Sequence, residues 1–277
     1  MAVARSAAHR PDAGPDLSGP VLAAAALFLA VLIGLPIGWI AAFAVLDRDG
    51  APTLANFMRL LEDPTLSEPL MTTLALSCSV AVIAAVAATP LAWLVARTDM
   101  PGRRLARVLM TASFVTPPFL GAIAWEILAA PNSGILNRVW RDLSGGSDPL
   151  FDIYSFPGLV FVISCYTAPY VFVVLANALD RIPADLEDAA GILGARRWRI
   201  VVGITLPLVL PALLVGTTVA FLQAMTLFGS PAILAIPAGF HTITTKIYTL
   251  FQFPPKPQIA AAAALPLLLV TVVLLWM

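Results

Sequence analysis

Between Arg181 and Pro207 the chain reads RIPADLEDAAGILGARRWRIVVGITLP, a charged stretch set between two apolar runs, Phe156 to Leu179 and Leu206 to Phe228. Pro183 suits the opening of a helix, where its missing N–H costs nothing. The acids Asp185, Glu187 and Asp188 favour the amino-terminal turn that follows. Leu186, Ala189, Ala190 and Leu193 recur at spacings of three and four, which predicts a short helix from about Asp185 to Leu193 with one apolar, small-residue face. Gly194 is its natural stop, because glycine accepts the left-handed geometry that closes a helix. Arg196, Arg197, Trp198 and Arg199 come next and suit anionic headgroups or a partner's rim. Spacing alone leaves two uses open for such a helix: rest on a membrane surface, or insertion into a groove on a partner.

Outward from this stretch the chain is dominated by apolar residues. It is 60% hydrophobic, 12% charged and has a mean hydropathy of +0.91, whereas soluble domains carry about 25% charged residues. Crossing a bilayer core of about 30 Å takes roughly 20 apolar helical residues. Six stretches meet that length: Val21 to Leu46, Leu70 to Ala96, Leu105 to Ala130, Phe156 to Leu179, Leu206 to Phe228 and Ile259 to Met277. The predicted class is therefore an all-α polytopic membrane protein with about six transmembrane helices. Alternate crossings place Arg5, Arg10, Arg97, Arg103, Arg104, Arg107, Arg181, Arg196, Arg197 and Arg199 on one side. Arg48, Arg59, Arg138, Arg141, Lys246 and Lys256 fall on the other. Positive residues favour the cytoplasm, so a cytoplasmic amino terminus is expected, with residues 1–20 as a tail and 21–69 as first helix and outer loop.

Sixteen basic residues balance sixteen acidic ones, and no overall field points to a nucleic acid partner. Cys78 and Cys165 lie in apolar runs and read as packing residues, and His9 and His241 are too far apart to suggest a metal site. No nucleophile and base converge in any run, which argues against an embedded enzyme. The span centres are almost free of charge, which argues against a secondary transporter driven by an ion gradient. Prolines punctuate the runs (Pro36, Pro90, Pro117 with Pro118, Pro169, Pro211, Pro266), and each is expected to bend its helix. Glu126, beside Trp125 near the outer end of the third run, reads either as a headgroup-level acid or as an aid to a passing cation.

The stretch from Asp188 to Pro207 resembles the EAA loop of binding-protein-dependent ABC permeases: Glu-Ala-Ala, three residues, Gly, nine residues, then Ile, one residue, Leu-Pro. Asp188, Ala189, Ala190, Gly194, Ile204, Leu206 and Pro207 occupy those positions, with Asp188 in place of the Glu and Glu187 just before it. The resemblance implies a type I ABC importer transmembrane domain over 70–277, with 181–207 as the ATPase-coupling loop. Glu187, Asp188, Ala189, Ala190, Gly194, Ile204, Leu206 and Pro207 are then its coupling residues. It also implies a cytoplasmic ABC ATPase dimer that uses the ATP, a periplasmic substrate-binding protein, and a second permease domain, whether identical chain, different chain or fused half. The chain has no Gly-x-x-x-x-Gly-Lys-Ser/Thr phosphate loop of its own, so it is expected to bind no cofactor and to be no enzyme.

From about Leu54 onward the likeness is to permeases of ferric-iron importers, carried by Pro90 to Arg103, Thr116 to Trp125, Phe228 to Leu234 and Pro237 to Lys246. Permeases for thiamine, polyamines and aminoethylphosphonate look similar. Neither a substrate ligand nor a metal ligand stands out. Ile243, Ile247, Leu250 and Phe251 predict an outer interfacial helix, suited either to meeting a binding protein or to resting on the membrane, and Asn132 to Phe156 an outer loop that suits such docking too. The final run stops at Trp276 and Met277 without a polar flank, so a fragment or the first half of a longer permease is expected. The expected location is the bacterial inner membrane.

Overall fold

The computed structural model describes residues 18–183 and 185–276. The expected tail as far as Leu17, with Arg5, His9 and Arg10, lies outside the described residues, as does Met277. The rest of that tail does not hold: Ser18, Gly19 and Pro20 already belong to helix α1 (Ser18–Ala44). All elements in the described residues are helical apart from one isolated bridge, Leu46 with Pro52.

Among the described residues five helices are long and apolar enough to span, or six if one pair bent at a break is taken as a single span. After α1 and the short α2 (Ala55–Glu62), α3 (Pro64–Arg97) starts six residues before the expected Leu70. Asp63 accounts for the early start, because its carboxylate accepts from Thr65 N at 2.9 Å and caps the helix, with Pro64 in the first turn. At 34 residues α3 is about 50 Å long, so its ends stand clear of the hydrocarbon.

The third run is not one bent helix. α4 (Arg103–Ala112) and a 3₁₀ turn over Ser113–Val115 end before α5 (Pro118–Ala129), and the two halves meet at 105°. A residue before proline is pushed out of the helical region, and this applies twice in succession. Thr116 and Pro117 take ψ of 115° and 133°, and two extended residues in a row cut the helix. Pro36, Pro90, Pro169, Pro211 and Pro266, expected to bend their helices, sit inside helices that continue past them.

α6 (Ile135–Ser144) lies in the following loop, and α7 (Phe156–Arg181) is capped by Ser155, whose hydroxyl accepts from Gly158 N. α8 (Asp185–Ile192) follows. The fifth span begins earlier than Leu206: α9 (Arg197–Ile200), a π-helical turn over Val201–Thr205 and α10 (Leu206–Thr226) run on as one helix. Pro207 has no N–H for the ordinary ladder, and Leu206 N instead reaches back to Val201 O. The chain closes with α11 (Gly229–Leu234), α12 (Ile243–Leu250) and α13 (Pro257–Trp276). α12 packs against the body of the protein through Ile243 and Leu250, both buried, while Tyr248, and Phe251 just after the helix, face outward.

The core is a seam of α3, α7 and α10. Ala84, Ala88 and Ala92 of α3, each fully buried, present a small-residue stripe to Val171, Phe172, Leu175 and Leu179 of α7, as close approach in lipid requires. Gly216 of α10 lets the backbone of Val171 come near, since a Cβ there would lie 3.1 Å from Val171 Cα. α1 stands outside this seam. Its apolar window buries nothing against the chain, and only its last turn packs, where Ala44 meets Ala261, Ala262 and Leu265. Cys78 and Cys165, expected to be packed, are both exposed and free.

Side-chain bonds sort the helix ends into two sets. At one end Arg97 donates to Ile182 O and Arg107 grips Asp180 through two bonds of 2.6 and 3.2 Å, joining the close of α3, the start of α4 and the close of α7. At the other, Tyr154 donates to Glu126 Oε1 at 2.6 Å, joining the close of α5 to the start of α7. That hydrogen bond to the Glu126 carboxylate, with burial after it, holds the Tyr154 phenol up at about 12. The pair α4–α5 therefore crosses from one end to the other despite its break. Arg97, Arg103, Arg104, Arg107, Arg181, Arg196, Arg197 and Arg199 gather at the first end, here called the inner end.

The outer loop depends on Asn137 of α6, fully buried, whose amide reaches Ala130 O and Phe151 O while its oxygen accepts from Phe151 N. Asn137→Ala is expected to destabilise the protein by about 1–3 kcal/mol, because the backbone N–H and C=O of Phe151 lose the partner that pins the loop, while Ala130 O keeps Gly134 N. Thermal unfolding in detergent, followed by Trp fluorescence, measures this; an unshifted midpoint would show that the clamp contributes nothing.

Candidate functional site

α8 and the turn after it form a compact knob at the inner end. The helix stops as a glycine-terminated helix should: Gly194 has φ of 83°, its N–H reaches Gly191 O, and Ala195 N reaches Ala190 O. A Cβ at Gly194 would meet open space, so the requirement for glycine is one of backbone conformation alone.

The knob is fastened through one carboxylate. Glu187 Oε1 accepts from Arg97 Nε of α3 at 3.0 Å and from the Thr205 hydroxyl at 2.9 Å. Arg97 uses its other arm on Ile182 O at 2.9 Å, just before α8. Both charged side chains are largely shielded, at 10% and 18% exposure, so the pair is of the kind whose rupture is costly rather than a loose surface contact. Thr205 is itself buried and sits in the π-helical turn. One carboxylate thus ties α8 to α3 and to the root of α10.

The residues singled out in the sequence separate into three groups. Glu187 and Ala190 turn toward the body of the protein. Asp188 and Ala189 face outward and stay exposed, as does Gly194. Ile204, Leu206 and Pro207 belong to the spanning helix, where Leu206 packs on the core seam. The apolar face is displaced from the one expected: Leu186 is half exposed, and Ile192 and Leu193 are each 87% exposed. Trp198 is also exposed, with Arg199 beside its ring. An open cleft of ≈ 980 Å³ separates the knob from the close of α3, lined by Trp93, Arg97, Asp99, Asp188, Ile192 and Arg197.

Arg97 and Thr205 carry the fastening, yet the reading of the sequence assigned neither to the site. Arg97 lies ninety positions from Glu187, and its only signal was a charge closing an apolar run. Thr205 falls between two motif positions, Ile204 and Leu206, and a threonine there carries no distinctive spacing.

A family profile described as "Binding-protein-dependent transport system inner membrane component" matches residues 88–277. The chain is similar to the molybdenum transport system permease protein ModB of Escherichia coli K12, 31% identical over 196 residues, covering 68% of this chain and 83% of that one. It is also similar to the sulfate transport system permease protein CysT of the same organism, 24% identical over 253 residues, covering 87% and 86%. In fold it matches a chain of a bacterial alginate ABC transporter solved with an alginate-bound periplasmic protein. The TM-score there is 0.74 at 20% identity, covering 94% of this chain and 93% of that one.

Arg97→Met is expected to loosen the knob, since it leaves Glu187 shielded without its cation. Amide hydrogen exchange over residues 189–195 should quicken about tenfold, the equivalent of ~1.4 kcal/mol, with the middle of α7 unchanged. Exchange at the wild-type rate would mean that the carboxylate does not hold α8.

Proposed function

The chain belongs to the binding-protein-dependent transport system inner membrane component family, and on that footing we propose that α8 is where this permease subunit receives the work of a cytoplasmic ATPase dimer. The observation that carries this reading is a short helix with one of its three acids, Glu187, turned inward and its large apolar side chains turned out. Ile192 and Leu193 have almost no cover from the chain itself and Leu186 only half, and exposed large side chains ringed by charge suit a protein groove. On this proposal the inner end faces the cytoplasm, as its eight arginines favour. ATPase closure then displaces α8, and Glu187 passes the displacement to α3 and α10 as rigid bodies. A periplasmic binding protein delivers the cargo at the outer end, and a second permease domain completes the pathway.

For the cargo we propose a tetrahedral oxyanion. Support comes from the names of the relatives, which carry molybdenum, molybdate/tungstate and sulfate. Ferric iron is the second reading, favoured by the four stretches that resemble ferric-iron permeases. Glu126, the acid that would have served a cation, already accepts the Tyr154 hydroxyl.

Two measurements test these proposals. Gly194→Trp forces a side chain onto a left-handed backbone and Leu193→Glu puts a charge on the docking face. Each is expected to cut capture of the ATPase subunit in mild detergent about tenfold or more, ~1.4 kcal/mol. Capture equal to wild type in both would remove α8 from the coupling role. In liposomes holding the full transporter, labelled molybdate or sulfate should accumulate with ATP and binding protein, and labelled ferric iron should not; iron uptake alone would transfer the cargo to the second reading.

A further inference from the structure

A small cavity of ≈ 130 Å³ opens at the break between α4 and α5, and its polar lining has no assigned use. Tyr166, Thr167 and Tyr170 enter it from the middle of α7, Thr116 from the broken segment and Gln223 from α10. Thr167 donates its hydroxyl to Ile163 O. Among the described residues, the hydroxyls of Thr116, Tyr166 and Tyr170 and the amide of Gln223 form no hydrogen bond with the protein.

The two phenols are held in place by close contacts. Tyr166 sets its hydroxyl end against Gly121 at the start of α5, so close that a Cβ at Gly121 would overlap the phenol oxygen and the ring edge. Tyr170 meets Phe114 edge-on with ring centroids 4.6 Å apart. Thr116 and Gln223 are exposed at this depth in the single chain. Lipid would leave such groups without partners, so this face is turned toward an aqueous path rather than toward hydrocarbon.

We propose that this cavity is a way station for the cargo, in which Tyr166, Tyr170, Thr116 and Gln223 donate hydrogen bonds to one partly dehydrated oxyanion. The inference rests on the oxyanion reading above. Its volume is on the order of a few waters, room enough for a compact anion. Four neutral groups that can each donate match the oxygens of a tetrahedral ion, and no carboxylate or imidazole lines the space to receive a cation. α5 begins at Pro118, in the cavity wall, so the weakly positive end of a half-helix adds to the preference for an anion. With no full positive charge present, binding stays weak enough for the ion to leave, as passage demands.

The test uses the complete transporter (permease, ATPase and binding protein) in liposomes, with labelled molybdate as probe. Tyr166→Phe combined with Tyr170→Phe, and separately Gln223→Glu, should lower the initial rate of uptake about tenfold or more, ~1.4 kcal/mol in the barrier. ATP hydrolysis stimulated by the loaded binding protein should continue, because the coupling knob is untouched. Gln223→Asn, which keeps the amide, should recover much of the uptake lost in Gln223→Glu. Wild-type uptake in the variants, with molybdate carried normally by the parent, would overturn the way station and leave the oxyanion reading standing. Uptake and hydrolysis falling together in every variant would mark a packing role and overturn it equally. A parent transporter that carries no oxyanion would defeat the reading itself, and the ligand class proposed here with it.

Discussion

A backbone amide inside hydrocarbon has no water to turn to, so every N–H and C=O freed from a helix must find a partner within the protein. The departures from regular helix in this chain follow that constraint. Where Pro207 removes a donor, the ladder shifts by one residue and Leu206 N finds Val201 O. Where Pro117 and Pro118 break the third run, Pro118 O accepts from the Ser230 hydroxyl of α11 at 3.1 Å. In the loop that follows, a single buried amide, Asn137, gathers the free carbonyls. The helices between these points pack through alanine and glycine, because lipid gives bulky apolar side chains no reason to prefer protein over solvent.

Those repairs place the functional parts. The helix from Arg197 to Thr226 carries Thr205 near its inner end and Gln223 near its outer end, eighteen residues and about 27 Å apart. On the coupling proposal, a load taken up at Glu187 reaches the cavity at the helix break through one continuous rod, guided by its seam with α7. α3 shares the load through Arg97 and lines the other side of that seam. The inner knob and the mid-depth cavity are thus two stations on the same pair of rigid bodies.

Much of this was legible in the residues, and the omissions have physical causes. Apolar length announced the spans, because hydrocarbon thickness sets a minimum that few soluble segments reach. The knob was legible from Pro183, its acids and Gly194, all of them local signals. The inward turn of Glu187 rather than Asp188 was not, since adjacent residues on a helix point about 100° apart and only the position of Arg97 decides between them. Arg196 to Arg199 read as a loop because charge masked helical continuity with the apolar residues behind it. Pro117 and Pro118 promised a bend, yet the consecutive extended residues they impose make a corner. The exposure of Cys78 and Cys165 depends on which helices flank α3 and α7, information that no single run contains.

The π-helical turn has one more implication. It holds a surplus residue relative to an ordinary helix, taken up by a widened turn so that the helices on either side keep their rotational setting. Losing one residue between Val201 and Thr205 would close the turn to an ordinary one, leaving each flanking helix in register while Thr205, itself inside the turn, loses its place opposite the carboxylate. The fastening of α8 to the spanning helix is thereby sensitive to length at that point in a way that exchanges of one side chain for another do not reveal.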